Sequence, residues 1–284
     1  MAVRTLARRL TLAAVGLSIA GGLSACASGG GVDPNAAVAQ QQADRFLFER
    51  GTEELERRRW LRAREYFRTL VDTYPTSEFR QDAKLGIGDS YLGEERIESD
   101  ILAASEFREF LRFFPAAERA DYAQYRLALA QIRQVLGPQR DQTPTRDALR
   151  ELETFVANYP GSEHLPEVLR LQRETRDRLS ESELGVGRFY YRQGNYLGAT
   201  SRLQELLEAD PQFTNRDAVY FYLAESYLRQ DKTAEARPLY ERLVEEFAVS
   251  DFLEDARKRL AELDTAPATP DVESASSDPA ARRE

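Results

Sequence analysis

Apolar residues recur along residues 43–264 with the period of a helix and not of a strand. Five alanines mark the recurrence: Ala63, Ala103, Ala148, Ala199 and Ala236. Four residues later stand Phe67, Phe107, Leu152, Leu203 and Tyr240. Seven and eight residues later stand Leu70-Val71, Phe110-Leu111, Phe155-Val156, Leu206-Leu207 and Leu243-Val244. These offsets fall on one face of an α-helix. The small alanine at the start of the stripe lets a neighbouring helix approach closely. Twelve residues after it come Pro75, Pro115, Pro160 and Pro211, with Ala248 in the fifth place. Proline lacks an N–H and drives the preceding residue out of α geometry, so each helix is expected to stop there.

A first helix precedes each of these. The patterns run from Phe46 to Leu55, Ala83 to Leu92, Tyr122 to Val135, Leu184 to Tyr191 and Ala218 to Leu228. Gly51 and Gly187 each stand twelve residues before their alanine. Glycine there permits a close crossing, at about 1 kcal/mol of helix propensity. Turn residues separate the helices of a pair, as in Gln193-Gly194-Asn195 and Gln230-Asp231-Lys232. This is the helix-turn-helix grammar of tetratricopeptide repeats, whose period is about 34 residues. The stops are spaced more widely, so insertions are expected, at the turns Gly93–Asp100 and Gly137–Thr145 and in an additional or extended helix over Pro166–Leu179. The fold class is all-α: an α-solenoid of five irregular helix pairs, closed by a capping helix over Asp251–Leu263. A single helical bundle is the alternative.

The two ends break the pattern. Arg4, Arg8 and Arg9 precede an uncharged apolar run, Leu10 to Ala25, that is short for a membrane span and fits a signal peptide. It ends in Leu23-Ser24-Ala25-Cys26, which resembles the bacterial lipobox. Residues 1–25 are therefore expected to be removed, and Cys26 to carry lipid. Several acyl chains hold a protein on a membrane without a span. Ala27, where an Asp often signals inner-membrane retention, fits outer-membrane sorting. Residues 26–42 read as a flexible tether. Residues 265–284, rich in Pro, Ser, Ala and Asp, read as a disordered tail.

Composition removes whole classes of function. The chain has 284 residues, with 48 acidic against 39 basic side chains. A net charge of −9 argues against nucleic acid, which needs a basic face. A single Cys and a single His, His164, leave no set for a zinc site or a Ser-His-Asp triad. No Walker loop, His-Glu-x-x-His or Gly-x-Ser-x-Gly occurs, and adjacent acids such as Glu53-Glu54 diverge on their helices. No catalytic residue, metal or cofactor is expected, and the protein is read as not an enzyme. Stacked pairs instead offer a concave surface lined by their first helices. These carry Phe46, Phe48, Tyr91, Tyr122, Tyr125, Tyr190, Tyr191, Tyr220 and Tyr222, most of them expected to pack between helices. Arg45, Arg126, Arg188, Arg192 and Arg202 are candidates for meeting acidic groups of a partner.

A lipobox, a tether and five irregular repeats together resemble the BamD family of outer-membrane lipoproteins. The likeness is most specific from Thr145-Arg146-Asp147-Ala148 through Tyr159-Pro160-Gly161-Ser162 and Leu179-Ser180-Glu181 to Phe189-Tyr190-Tyr191-Arg192-Gln193-Gly194-Asn195-Tyr196. The resemblance implies a scaffold on the periplasmic face of the outer membrane, within the machine that assembles β-barrel proteins. Its implied partners are the barrel-inserting subunit, other assembly lipoproteins and unfolded barrel substrates. It places Arg202 where a family arginine docks to the barrel subunit; Arg188, Tyr191, Tyr91 and Tyr122 complete the expected partner-binding set. Arg57-Arg58-Arg59 departs from the family pattern. Without the resemblance, the alternative is a repeat lipoprotein that recruits cell-wall enzymes or binds peptidoglycan.

Overall fold

A computed structural model describes residues 34–265. Among these it has eleven helices and no strand. They fall into five antiparallel pairs and a last single helix: α1 (Pro34–Glu56) with α2 (Trp60–Thr73), α3 (Arg80–Leu92) with α4 (Ile97–Phe113), α5 (Ala120–Ile132) with α6 (Thr143–Asn158), α7 (Leu165–Arg192) with α8 (Tyr196–Ala209), α9 (Arg216–Leu228) with α10 (Thr233–Glu246), then α11 (Leu253–Thr265). Each helix packs on the next. First helices also touch one another, α1 on α3, α3 on α5 and α7 on α9, which places them along the inner line of a solenoid.

The repeated stripe is the core. All five marker alanines are fully buried, and so are Phe67, Phe107, Leu152, Leu203 and Tyr240 four residues on. The residues at offset seven are buried too, and those at offset eight half-buried. Each fully buried large apolar side chain contributes roughly 1.5–3 kcal/mol. Gly51 and Gly187 stand where side chains would collide. A Cβ on Gly51 would lie 2.6 Å from the Phe67 ring, and one on Gly187 2.5 Å from Leu203.

In four of the five pairs the turn between the two helices uses one left-handed residue. Arg58, Glu95, Gly194 and Asp231 have φ of 57°, 54°, 74° and 60°. In three of these turns the next N–H closes on the carbonyl five residues back: Arg59 on Glu54, Asn195 on Tyr190 and Lys232 on Tyr227, each within 3.0 Å. This is a Schellman closure, in which glycine is the unstrained choice. Only Gly194 advertises it in the sequence.

The turn between pairs has its own device. Ser77, Ser162 and Ser250 accept the backbone N–H of Phe79, His164 and Phe252 at 3.1–3.2 Å. The rings so oriented stack on the preceding first helix, Phe79 on Phe48, His164 on Tyr125 and Phe252 on Phe221, at 4.8–5.0 Å between centroids. The lone histidine is thus a stacking ring.

Two boundaries differ from expectation, and the segment 166–179 takes one of its two expected forms, the extended helix. Helix α1 starts at Pro34, so residues 34–42, read as tether, are helical; Ala36, Ala37, Ala39 and Gln40-Gln41-Gln42 are good helix formers. Helix α4 starts at Ile97, which shortens the expected Gly93–Asp100 turn; Glu98 and Asp100 favour its N-terminal dipole. Residues 166–179 belong to α7, a single unbroken helix of 28 residues. The signal peptide, Cys26 and the tail beyond 265 lie outside the described residues. No described helix is long and apolar enough to cross a membrane.

Candidate partner-binding surface

The length of α7 shapes the surface. At 1.5 Å per residue it spans about 42 Å. Its N-terminal half supplies Val168 and Leu171 to a core with Ala128, Leu152 and Phe155 of the third pair. Its C-terminal half supplies Leu184 to a different core, with Leu203, Leu206, Phe213 and Val219. Between these halves its buried positions are Thr175 and Ser180. Polar links hold this middle. Arg173 grips Asp210 with both terminal nitrogens, Nη1 to Oδ1 at 2.9 Å and Nη2 to Oδ2, and also reaches Asp177 at 3.0 Å. Ser180 donates to Asp210 at 2.6 Å. Burial pushes the Asp210 carboxyl up. The hydrogen bonds from Arg173 and Ser180, with the Arg173 charge, outweigh that and hold it below its ordinary value.

Two clefts flank α7. One, of about 490 Å³, lies between α6 and α8 with α7 as its floor. Leu149, Leu179 and Leu206 give it an apolar base, and Glu153, Arg176 and Glu183 a charged wall. Arg202 stands on its lip, half exposed, and among the described residues its only ion partner is Glu205 of its own helix at 3.2 Å. A second cleft, of about 530 Å³, opens on the other flank, between the α5–α6 loop and the C-terminal half of α7. Arg188 lines it, and its guanidinium also lies 5.1 Å from the Tyr222 ring.

The remaining expected residues sit on the inner line. Tyr191 is half-buried, edge-on to Tyr196 and Tyr222, and donates to Glu225 at 3.3 Å. Burial first, then the Glu225 charge, raises its pKa. Glu225 is itself 3% exposed. It also accepts from Tyr240 at 2.7 Å and from Arg259 of α11 at 2.7 Å, so one carboxylate ties α7, α9, α10 and the cap together. Tyr122 donates to Asp89 at 2.9 Å, and Arg126 meets the same carboxylate at 2.7 Å, which clamps α5 to α3. Burial, then the nearby Asp89 charge, raises the Tyr122 hydroxyl. Tyr91 is 8% exposed: Arg64 lies over its ring at 3.9 Å and Arg68 donates to its hydroxyl at 2.7 Å. Arg188 and Tyr191 therefore meet around Tyr222; Tyr91 and Tyr122 belong to other joints, and Arg202 to the opposite flank. The sequence reading did not single out Phe189 and Val186, which are 52% and 38% exposed. Their signal was present: both are large apolar residues off the Leu184–Gly187 stripe that α7 buries.

A solenoid of five tetratricopeptide-type pairs, followed by a last single helix, defines a protein of the helical-repeat class. The particular family follows from comparison. The chain matches the YfiO family, described as outer membrane lipoprotein, over residues 40–239, and it belongs to that family. It is 28% identical over 229 residues to the outer membrane protein assembly factor BamD of Caulobacter vibrioides, covering 80% of this chain and 72% of that protein. It is 25% identical over 244 residues to BamD of Neisseria gonorrhoeae, covering 82% and 90%. Among solved structures, a tetratricopeptide repeat protein from Parabacteroides merdae aligns with a TM-score of 0.37 at 15% identity, over 78% of this chain and 87% of that one.

Proposed function

We propose that this chain is a lipid-anchored scaffold on the periplasmic face of the outer membrane, serving the assembly of outer-membrane proteins. The observation that carries the reading is family membership across nearly the whole solenoid, from α1 into α10, with relatives that are outer-membrane assembly factors. Cys26 carries the lipid in this reading, eight residues before α1 begins. The Arg202 cleft receives the barrel-inserting subunit: an apolar floor gives contact area, and the half-exposed arginine on its lip offers paired N–H donors to a carboxylate. Other assembly lipoproteins and unfolded barrel substrates use the rest of the surface, with Arg188 and Tyr191 at the inner line.

The test is a detergent pull-down from native membranes read by mass spectrometry. The expected catch is an outer-membrane barrel protein with periplasmic repeats, reduced by Arg202→Glu. Recovery of a murein hydrolase in its place would move the protein to cell-wall work. Cys26→Ser is expected to release the chain unacylated; normal membrane retention would remove the anchor.

A further inference from the structure

We propose that the cleft between the α5–α6 loop and α7 is a second binding site, for an acidic protein segment bearing an aromatic side chain. Three arginines converge there, Arg140 from the loop and Arg188 and Arg192 from α7. None has a carboxylate within 4.0 Å among the described residues. The cleft's one acid, Glu181, is engaged by the Asn215 side chain at 3.1 Å. Other described arginines, Arg58, Arg62 and Arg257 among them, also have no carboxylate within 4.0 Å; what sets these three apart is that they share one cleft. Elsewhere Arg64 is paired with Glu94, Arg126 with Asp89, Arg173 with Asp210 and Arg259 with Glu225. In a protein with nine more acids than bases, three arginines against one carboxylate in one concavity leave a local excess of positive charge that suits an anionic occupant.

The occupant is more than an anion, because the same wall presents Phe189 and Val186 to solvent. Guanidinium groups pair bidentately with carboxylates and stack on aromatic faces, so this set suits alternating acidic and aromatic side chains. The volume, about 530 Å³, is that of a few residues of chain. The wall is also open at Gly185, where an added Cβ would meet nothing within 4 Å. The chain's own tail offers acids, Asp271, Glu273, Asp278 and Glu284, but no aromatic residue, and Val272 is its one large aliphatic. The complement therefore lies on another protein. The site is independent of the Arg202 cleft, which faces the other flank of α7.

The experiment is fluorescence anisotropy on the full chain in detergent, with labelled peptides of alternating Glu and Phe, Lys and Phe, or Glu and Ser. The Glu-Phe peptide is expected to bind tightest and to weaken as salt rises. Arg188→Glu combined with Arg192→Glu is expected to lower its affinity about tenfold or more. Gly185→Trp, which fills the cleft from an open position, should do the same with an unchanged thermal melt. Arg202→Glu should leave peptide binding intact, which separates this site from the proposed assembly contact. Equal binding of the Lys-Phe peptide, or full affinity in both cleft variants, overturns the proposal. So does Glu-Phe binding that appears only when Asp271, Glu273, Asp278 and Glu284 are neutralised to amides, since the tail would then be the occupant.

Discussion

The joint between the second and third pairs and the joint between the third and fourth are built differently. In the first, α5 lies on α3, and Ala123, Leu127 and Ala130 join the same apolar cluster that begins at Ala63. The Asp89 carboxylate then locks Arg126 and Tyr122 across it. In the second, the extra turns of α7 carry its two ends into separate cores, and the span between buries Thr175 and Ser180. Ion pairs do there what side-chain packing does elsewhere. The lesson concerns repeat proteins in general: turns added to one helix move its neighbours apart, and surface that would have been core becomes cleft. The clefts of about 490 and 530 Å³ both flank the lengthened helix.

The contrast can be broken or sharpened by experiment. Phe67→Ala, in the continuous core, is expected to cost about 3–5 kcal/mol by urea denaturation. Hydrogen exchange should show that loss concentrated in α1–α4, because repeats couple chiefly to their neighbours; an equal loss in α9 and α10 would deny two separate blocks. Asp89→Ala leaves Arg126 without its partner in a mostly buried place and should cost about 2–3 kcal/mol. Arg173→Ala, at the polar joint, should cost about 1–2 kcal/mol by the same assay, through lost bonds to Asp210 and Asp177. If it costs as much as Phe67→Ala, the joint is no weak point.

Acid probes the same joint. The folded Asp210 carboxyl titrates below its unfolded value, so its stabilising effect is full above the ordinary carboxylate range, about pH 4, and fades as pH falls through the folded pKa. Asp210→Asn should therefore flatten the acid limb of the stability curve; an unchanged limb would show that the acid loss lies elsewhere. The smallest effect on folding belongs to the lip of the cleft. Arg202→Glu should change stability by less than about 0.5 kcal/mol, since its one ion pair is exposed. A cooperative unfolding loss at that position would mean that Arg202 supports the fold and not a partner.

What the amino-acid order determined on its own was everything with a local cause. The five alanine stripes, their four proline stops, the close crossings at Gly51 and Gly187 and the capping helix follow from periodicity and steric rules within one pair, and the stripe is buried at offsets zero, four and seven and half-buried at offset eight, where those rules put it. Relations between pairs were decided only in three dimensions. Nothing in the row of residues around Arg58 or Glu95 announces a left-handed turn, because the closure of two packed helices imposes it against local preference. The aromatic rings showed the same limit: composition marked Tyr91 and Tyr191 alike, yet one is enclosed by Arg64 and Arg68 while the other stands beside Arg188 and Tyr222. The clefts flanking α7 join residues some fifty positions apart, such as Arg140 and Arg192, and their distance in space depends on how far a single long helix spreads the pairs it bridges.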